Sequence, residues 1–196
     1  MPKNGREPME QKDIEEGQIK GERERTAKQY RAAMSNGRGR IHEQMIEGAC
    51  RVYAGEGRAY ILKVPEPFRV ITKNRGRGIA TVQFTAHAQP DFVGILKGGE
   101  SIAFEAKHTD SGKLLQRVVT ATQAAALQRF HDLGGAAAVC AGIGDECFMI
   151  PWEIFSHMKE VFGRQYVTAA DIAEYKVKFD GVIWFLDYVN KKKQGG

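Results

Sequence analysis

The chain has 196 residues, of which 42% are hydrophobic and 27% are charged, and its formal net charge is +5. This composition fits one compact domain with polar extensions, and it excludes fibrous, repetitive and wholly disordered chains. No window approaches the roughly 18 consecutive apolar residues of a membrane-spanning helix, and the charged N-terminus does not resemble a secretory leader. We therefore expect a cytoplasmic protein with no membrane partner.

The N-terminal half of the sequence predicts an arm, a helix and four strands. Residues 1–36 are charged and almost free of large apolar side chains, so they cannot bury a core face and form an arm outside the domain. Apolar residues recur at helical spacing between Asn36 and Gly57, which predicts a helix with one buried side. Apolar runs then predict strands at Ala59–Val64, Ile79–Ala86, Asp91–Leu96 and Ser101–Lys107. A glycine turn between the last two strands is typical of a β-hairpin.

A basic segment separates the first two of these strands. Pro65 and Pro67 interrupt regular pairing, and residues 68–78 carry four basic side chains and no acidic one, which predicts a short projecting stalk. Across residues 37–77, nine Lys and Arg residues stand against four Glu residues. A local positive field attracts polyanions by counterion release, so nucleic acid is the leading expected partner, with a solvated surface as the alternative.

The C-terminal half predicts further helices and strands. In chain order these are a helix at Val118–Leu133 that stops at Gly134, strands at Ala136–Ala141 and Glu146–Ile150, a helix from Pro151 to about Val161, a short helix with Thr168 as its N-cap, and a strand or packed segment at Val182–Val189. The domain therefore spans residues 37–190, and a basic tail follows at 191–196. The mixture of helices and strands predicts an α/β fold.

The most informative residues are Asp91 and the triplet Glu105-Ala106-Lys107. Side chains alternate along a strand, so Glu105 and Lys107 share a face, and the hairpin turn brings Asp91 back beside them. Two carboxylates and an ammonium suit a hard divalent cation such as Mg²⁺, and the carbonyl of Ala106 is a natural further ligand. The alternative is a surface salt bridge. Charges on so apolar a strand are costly unless they are matched or bound to metal, which favours a functional site.

Short motifs run in order along the domain. Pro90-Asp91 and Glu105-Ala106-Lys107 spell the motif of the PD-(D/E)xK nuclease superfamily. The longer pattern comprises Gly39-x-x-x-Glu43, Lys63-Val64-Pro65-Glu66-Pro67, Asp91-Phe92-x-Gly94, Phe104-Glu105-Ala106-Lys107-His108-Thr109, Gln123 and Gly134-Gly135. Together these motifs resemble the RecU family of Holliday junction resolvases. The resemblance covers about residues 37–189 and leaves the arm outside.

The resemblance implies a fold, an activity and partners. The fold would be restriction-endonuclease-like, a mixed β-sheet flanked by helices with a projecting basic stalk. The activity would be that of a homodimeric, Mg²⁺-dependent endonuclease, with Mn²⁺ as a substitute, which binds four-way DNA junctions and resolves them by paired symmetric nicks. Recombination proteins would be its partners, at the nucleoid or, for a viral chain, in the host cytoplasm.

The resemblance also implies roles for single residues. Asp91 and Glu105 match the metal ligands, Lys107 matches the catalytic lysine, and Glu43 on the first helix would complete the metal shell. Gln123 would lie near the attacking water or the scissile phosphate, the alternative being a satisfied core glutamine. The expected DNA contacts are Arg69, Lys73, Arg75 and Arg77 of the stalk, together with Arg38, Arg40, Lys63 and His108.

Two other functions stay open on the sequence alone. One is a restriction-like or repair endonuclease that cuts ordinary duplex or flapped DNA. The other is a non-catalytic DNA junction-binding module in which the acidic cluster is structural. Cutting of a junction and of a matched linear duplex separates the nucleases from each other, and metal-dependent product formation excludes the module.

Overall fold

The computed structural model describes residues 37–85 and 89–187 of the chain. The predicted arm at 1–36, the predicted tail at 191–196 and the end of the predicted segment Val182–Val189 lie outside these residues. No helix in the described part combines the length and the apolar character needed to cross a membrane.

The described chain contains four longer helices and ten strands, and its last two residues, Leu186 and Asp187, are also helical. In chain order they are α1 (37–55), β1 (Ala59–Lys63), β2 (Phe68–Asn74), β3 (Ile79–Phe84), β4 (Phe92–Leu96), β5 (Ser101–Thr109), β6 (Lys113–Leu115), α2 (Ala121–Asp132), β7 (Ala136–Ile143), β8 (Glu146–Pro151), α3 (Trp152–Ser156), α4 (Met158–Phe162), β9 (Tyr166–Thr168) and β10 (Lys176–Val177). Short 3₁₀ turns occur at Gln116–Val118 and Ala173–Tyr175.

Six strands form one mixed sheet in the order β1-β4-β5-β7-β8-β10. Neighbouring strands are antiparallel except β5 and β7, which run parallel from the pair Ile102↔Ala136 to the pair Thr109↔Ile143. Parallel strands need a crossover connection, and here the crossover contains α2. Helices α1 and α2 both pack on this sheet. The predicted mixed sheet flanked by helices is therefore confirmed.

The side chains of β5 divide between two cores, one on each face of the sheet. Phe104 stacks on Phe92, with ring centroids 5.0 Å apart, in the core that contains Tyr53 of α1. Ala103 belongs to the opposite core, together with Leu127 of α2. Because side chains alternate along a strand, the odd-numbered residues of β5 face α2 and the even-numbered ones face α1.

Strands β2 and β3 pair only with each other and form a ribbon separate from the main sheet. They pair from Phe68↔Phe84 to Asn74↔Ile79, with a bulge between Val70 and Thr72, and every residue of β2 is exposed. The predicted stalk at 68–78 is thus half of a longer ribbon that spans 68–84. The apolar run at Ile79–Phe84 indicates a strand but does not specify its partner. In the structure this strand pairs with the basic segment, which lengthens the projection.

Two predicted helices differ in the structure. The helix predicted from Pro151 to Val161 is divided into α3 and α4 at His157, whose backbone φ is −108° and ψ is 32°. Thr168 ends β9, and turns and the 3₁₀ turn at Ala173–Tyr175 follow it instead of an α-helix. Its N–H and its hydroxyl both donate to Asp171 Oδ2, at 2.8 and 2.7 Å. Strands β6, β9 and β10 contain only two or three residues each, too few to produce a periodic signal in the sequence.

Candidate active site

Asp91 lies where β4 stops pairing with β5. The last residue pair of the two strands is Phe92↔Phe104, so the N–H of Ala106 lies beyond the β4–β5 ladder. The Asp91 carboxylate takes the place of a strand acceptor, since its Oδ2 accepts the Ala106 N–H at 3.0 Å. A backbone hydrogen bond therefore holds Asp91 against an interior strand of the sheet.

Glu105 and Lys107 meet Asp91 on the α2 face of β5. The Lys107 Nζ lies 2.8 Å from Glu105 Oε2 and 3.6 Å from Asp91 Oδ2. Glu105 is completely buried, whereas the side chains of Asp91 and Lys107 keep 21% and 19% of their exposure. The structure brings these three residues together, and we refer to them as the Asp91–Glu105–Lys107 cluster.

Gln123 reaches this cluster from the first turn of α2. Its Nε2 donates to Glu105 Oε2 at 2.6 Å, and its Oε1 accepts the N–H of Thr120 at 3.1 Å. Thr120 is the N-cap of α2, and its hydroxyl accepts the Gln123 N–H at 3.3 Å, which completes a capping box. Both ends of the Gln123 amide are thus engaged within the protein. Thr120 is absent from the predicted site, although the spacing Thr-x-x-Gln signals such a cap.

Burial governs the protonation of Glu105. Desolvation raises the pKa of its carboxyl from 4.5 to about 7, opposed by the Lys107 ammonium and assisted by the Asp91 carboxylate. Its second oxygen, Oε1, is buried and has no hydrogen-bond partner among the described residues. Buried polar atoms normally have a partner, so an unpartnered carboxylate oxygen beside a second carboxylate fits a cation site.

The donors around Glu105 fit a hard divalent cation. Within 37–85 and 89–187, no three His, Cys, Asp or Glu side chains come close enough to hold a metal ion. The cluster offers instead Glu105 Oε1, the Asp91 carboxylate and the carbonyl of Ala106, which points to the same edge of β5 as the Ala106 N–H. Mg²⁺ typically takes one or two carboxylates and keeps several waters, so this donor set suits it.

The raised pKa of Glu105 predicts how stability depends on pH without metal. Between pH 4.5 and about 7 the unfolded chain has lost this proton and the folded chain retains it, so the free energy of unfolding should fall as pH rises. The loss should reach at most about 3 kcal/mol by pH 8. Urea unfolding in EDTA at pH 5 and pH 8 measures it. Glu105→Gln should flatten this dependence, and an unchanged slope in that variant would contradict the assignment.

Glu43 meets the sheet from the α1 side, where it pairs with Lys63. Lys63 pairs with Phe92 across β1 and β4, so its side chain lies on the α1 face. The Lys63 Nζ is 2.7 Å from Glu43 Oε2 and 3.2 Å from Glu47 Oε1, and the hydrogen bond with Glu43 raises the lysine pKa. In the structure Glu43 therefore has Lys63 as its ion-pair partner, and its place in the metal shell stays a prediction.

His108 also lies on the α1 face of β5. Its Nε2 is 3.1 Å from the carbonyl oxygen of Gly144, and its ring centroid is 5.7 Å from that of the buried His42. Gly142 leaves room for both rings, since a Cβ there would lie 2.5 Å from His108 Cδ2 and 3.1 Å from His42 Nδ1. The imidazole is therefore packed away from the cluster, and its phosphate contact stays a prediction.

The other residues predicted to contact DNA are exposed. Arg38 and Arg40 lie on the first described turn of α1. Arg69 donates across the ribbon to Gln83 at 2.9 Å. Lys73 ends β2, and the turn that follows contains Arg75 and Arg77.

The class of protein follows from the fold and the cluster together. A mixed sheet with two carboxylates and a lysine on neighbouring interior strands is the arrangement that a PD-(D/E)xK nuclease implies. Asp91 directly precedes β4, Glu105 and Lys107 come from β5, and α2 covers their face of the sheet.

Comparison with known proteins gives the family. The RecU family, described as Recombination protein U, matches residues 37–193 of the chain. No curated protein matches it. Among solved structures, the chain is similar to Hjc, a Holliday junction resolvase from the archaeal hyperthermophile Archaeoglobus fulgidus, with 13% identity and a TM-score of 0.44 over 73% of this chain and 97% of that chain. Because the family match spans the whole described domain, the chain belongs to the RecU family, and the resemblance predicted from its motifs is confirmed.

Proposed function

We propose that the protein is a Mg²⁺-dependent endonuclease that resolves four-way DNA junctions by nicking two opposed strands. The observation that carries the proposal is the buried Glu105 carboxylate beside Asp91 and Lys107, with its Oε1 unpartnered in the described structure. In a member of the RecU family, this cluster is the natural place for phosphodiester hydrolysis.

The cation would be held by Glu105, Asp91 and the carbonyl of Ala106, with Mn²⁺ as a substitute of similar ligand preference. When bound, Mg²⁺ would supply positive charge that polarises the scissile phosphate and makes water more acidic. The raised pKa of Glu105 means that the metal-free protein keeps a proton there below about pH 7. Cation and proton therefore compete for this carboxylate, and metal affinity should fall as the solution is acidified.

Lys107 and Gln123 would have different roles. The Lys107 ammonium has three protons to donate, of which one is directed at Glu105, and its partial exposure makes it accessible to a substrate. It would orient the attacking water and offset the negative charge that develops on the phosphate oxygens. Gln123 would act as a positioning residue, because its amide holds Glu105 with one end and the start of α2 with the other.

A homodimer would match the symmetry of the substrate. A four-way junction has near two-fold symmetry, and two opposed nicks require two equivalent sites, so each subunit of a symmetric dimer would cut one strand.

The β2–β3 ribbon would enter the centre of the junction. It is exposed along β2, and residues 68–85 include several cations and no acidic residue. Such a narrow basic projection can neutralise phosphates where four strands converge. Arg38 and Arg40 would add phosphate contacts outside the ribbon. Lys63 would contribute less, because two glutamates already surround its ammonium.

Replacing Arg75 and Arg77 by alanine should weaken junction binding in a salt-dependent manner. Each lost phosphate contact reduces the slope of log affinity against log salt concentration by about 0.9, so we expect a reduction of about two. Fluorescence anisotropy in EDTA at several salt concentrations measures this slope. The matched control replaces Arg129 and Lys159, two exposed cations of α2 and α4. Equal losses in both double variants would contradict a specific role for the ribbon.

The test of the proposed function compares two labelled substrates. A four-way junction with a mobile core and a linear duplex of the same sequence are each incubated with protein in Mg²⁺, in Mn²⁺ and in EDTA, and strand-specific nicks are scored on a denaturing gel. We expect symmetric, metal-dependent nicks in the junction alone. Cutting of both substrates would indicate a general nuclease, and binding without cutting would indicate a DNA-binding module.

A further inference from the structure

An apolar surface lies on the α2 face of β1 and β4. Ile61 belongs to the core on the α1 face, so its neighbours Tyr60 and Leu62 lie on the opposite face of the sheet. Strand pairing places Tyr60 beside Ile95 and Leu62 beside Val93. We refer to these four residues as the β1–β4 patch, which consists of Tyr60, Leu62, Val93 and Ile95.

Helix α2 covers only part of this face of the sheet. It packs on β5 and β7, where Ala103 is completely buried. Beside Ala103, Val93 is half-buried, and beyond Val93 the side chain of Leu62 is exposed, at 52%. Tyr60 and Ile95 are 61% and 49% exposed. The apolar surface of the sheet therefore continues past the helix into solvent.

Exposed apolar side chains are concentrated in the part of the chain that contains the patch. Of the eleven large apolar side chains that are exposed in the described chain, seven lie between residues 60 and 95. Singly exposed apolar residues are normal in soluble proteins, but a contiguous group on a sheet face marks an interaction surface. The patch contains none of the cations that hold phosphates, so its natural partner is another apolar surface instead of DNA.

A second copy of the chain fits this surface best. The arm at 1–36 is a poor cover, because fifteen of its residues are charged and its apolar residues are scattered. Two copies related by a two-fold axis would place the patch against itself and bury roughly 600 Å² of apolar surface. A standard interface buries about 1,600 Å², of which a little more than half is apolar. The patch would therefore supply most of the apolar centre of such an interface.

The patch also adjoins the candidate active site. Asp91, Val93 and Ile95 lie on the same face of the sheet, and the rise per residue of a strand places the centre of the patch about 10 Å along the chain from Asp91. A two-fold axis through the patch would therefore bring the clusters of both subunits close to that axis. Two sites that flank one axis can act on two opposed strands of a single junction.

We propose that the β1–β4 patch is the interface between the two subunits of a symmetric homodimer. The inference rests on the proposed function for the expectation of a dimer, and it deepens that function by naming the surface that pairs the two sites. The interface forms from the patch and the residues around it, and it requires neither DNA nor a metal ion.

Substitution of a patch residue by lysine tests the proposal. We expect the unaltered chain to sediment as a dimer at micromolar concentration in EDTA. Leu62→Lys should raise the dimer dissociation constant by at least about a hundredfold, since the interface would bury an unpaired ammonium. Val161→Lys is the matched control, because Val161 on α4 is 51% exposed but lies outside the patch. A monomeric unaltered chain, or a Leu62→Lys chain that dimerises as tightly as the control, overturns the proposal.

Cysteine cross-linking locates the interface without introducing a charge. The three native cysteines, Cys50, Cys140 and Cys147, are buried, and burial raises the pKa of each thiol, so a bismaleimide should react only with an introduced surface cysteine. Ile95→Cys should give covalent dimers, whereas Val161→Cys should not. Equal cross-linking of the two variants, or none in Ile95→Cys, overturns the placement of the interface and with it the proposal.

The interface and the nuclease activity fail in different ways. Sedimentation and cross-linking in EDTA need no strand cleavage. A chain that dimerises through the patch but does not cut junctions supports the interface and contradicts the nuclease. A chain that cuts junctions but stays monomeric, or dimerises through another surface, supports the nuclease and overturns the interface.

Discussion

Asp91→Asn should reduce the rate of junction cleavage by about a thousandfold, while the affinity for the junction in EDTA stays unchanged. The amide oxygen of Asn can still accept the Ala106 N–H, so the local backbone should be retained. The substitution removes the negative charge that would hold the cation, and the loss of one transition-state interaction of this type typically costs about 10²–10³ in rate. Single-turnover cleavage of a labelled junction at saturating protein measures the effect.

Asp145→Asn is the control for this experiment, since Asp145 lies in the exposed turn between β7 and β8. We expect it to cut at the unaltered rate. Lys107→Met should resemble Asp91→Asn, because it removes the ammonium that lies 2.8 Å from Glu105 and 3.6 Å from Asp91. Cleavage at the unaltered rate by Asp91→Asn, or a loss of junction binding without a loss of cleavage, would refute the assignment of the cluster as the catalytic site.

Gly94→Ala should prevent stable folding of the domain or destabilise it by at least about 3 kcal/mol. Gly94 lies in the middle of β4, and a Cβ there would lie 2.3 Å from the carbonyl oxygen of Tyr60 and 2.6 Å from Ile61 Cα. Both atoms belong to the backbone of β1, which can relieve the overlap only by separating from β4. Domains of this kind have a total stability of about 5–15 kcal/mol, so this loss is a large fraction of it.

Urea unfolding followed by circular dichroism measures this loss, with Gly55→Ala as the matched control. Gly55 ends α1 with no atom within 4 Å of an added Cβ, so alanine there should be neutral or stabilise by up to about 1 kcal/mol. Gly94→Ala should also abolish cleavage, because the β1–β4 pairing continues into the hydrogen bond from the Val64 N–H to the Asp91 carbonyl. A folded and stable Gly94→Ala domain would show that β1 tolerates displacement.

The interior of the sheet could be predicted from the sequence because its strands have strong local signals. The apolar run of β5 and the glycine turn before it mark the β4–β5 hairpin, and the alternation of side chains places Asp91, Glu105 and Lys107 together. The partner of β3 could not be predicted in the same way. An apolar run shows that a segment forms a strand, but the choice of partner depends on contacts between residues distant in sequence.

The position of Glu43 illustrates a second limit. Helical spacing identifies the buried side of α1, but it does not indicate which face of the sheet that helix covers. The ion pairs of Lys63 with Glu43 and Glu47 arise only once α1 has packed against β1. A helix boundary limited the prediction at Gln123 in a similar way. The sequence predicts a helix that begins at Val118, and in such a helix Thr120 is an interior residue. In the structure α2 begins at Ala121, so Thr120 is its N-cap and forms hydrogen bonds with Gln123 of the candidate site.

The capping box of α2 links the folding of that helix to the assembly of the candidate active site. Gln123 is 18 residues from Glu105 in the chain and lies on a different element, so their hydrogen bond forms only when α2 is folded and packed on β5. Unwinding of the first turn of α2 would release Gln123 from Thr120 and Glu105 together. A nascent or partly folded chain, in which α2 has not yet formed, would therefore lack the proposed nuclease site, and only molecules that have completed their fold would cut DNA.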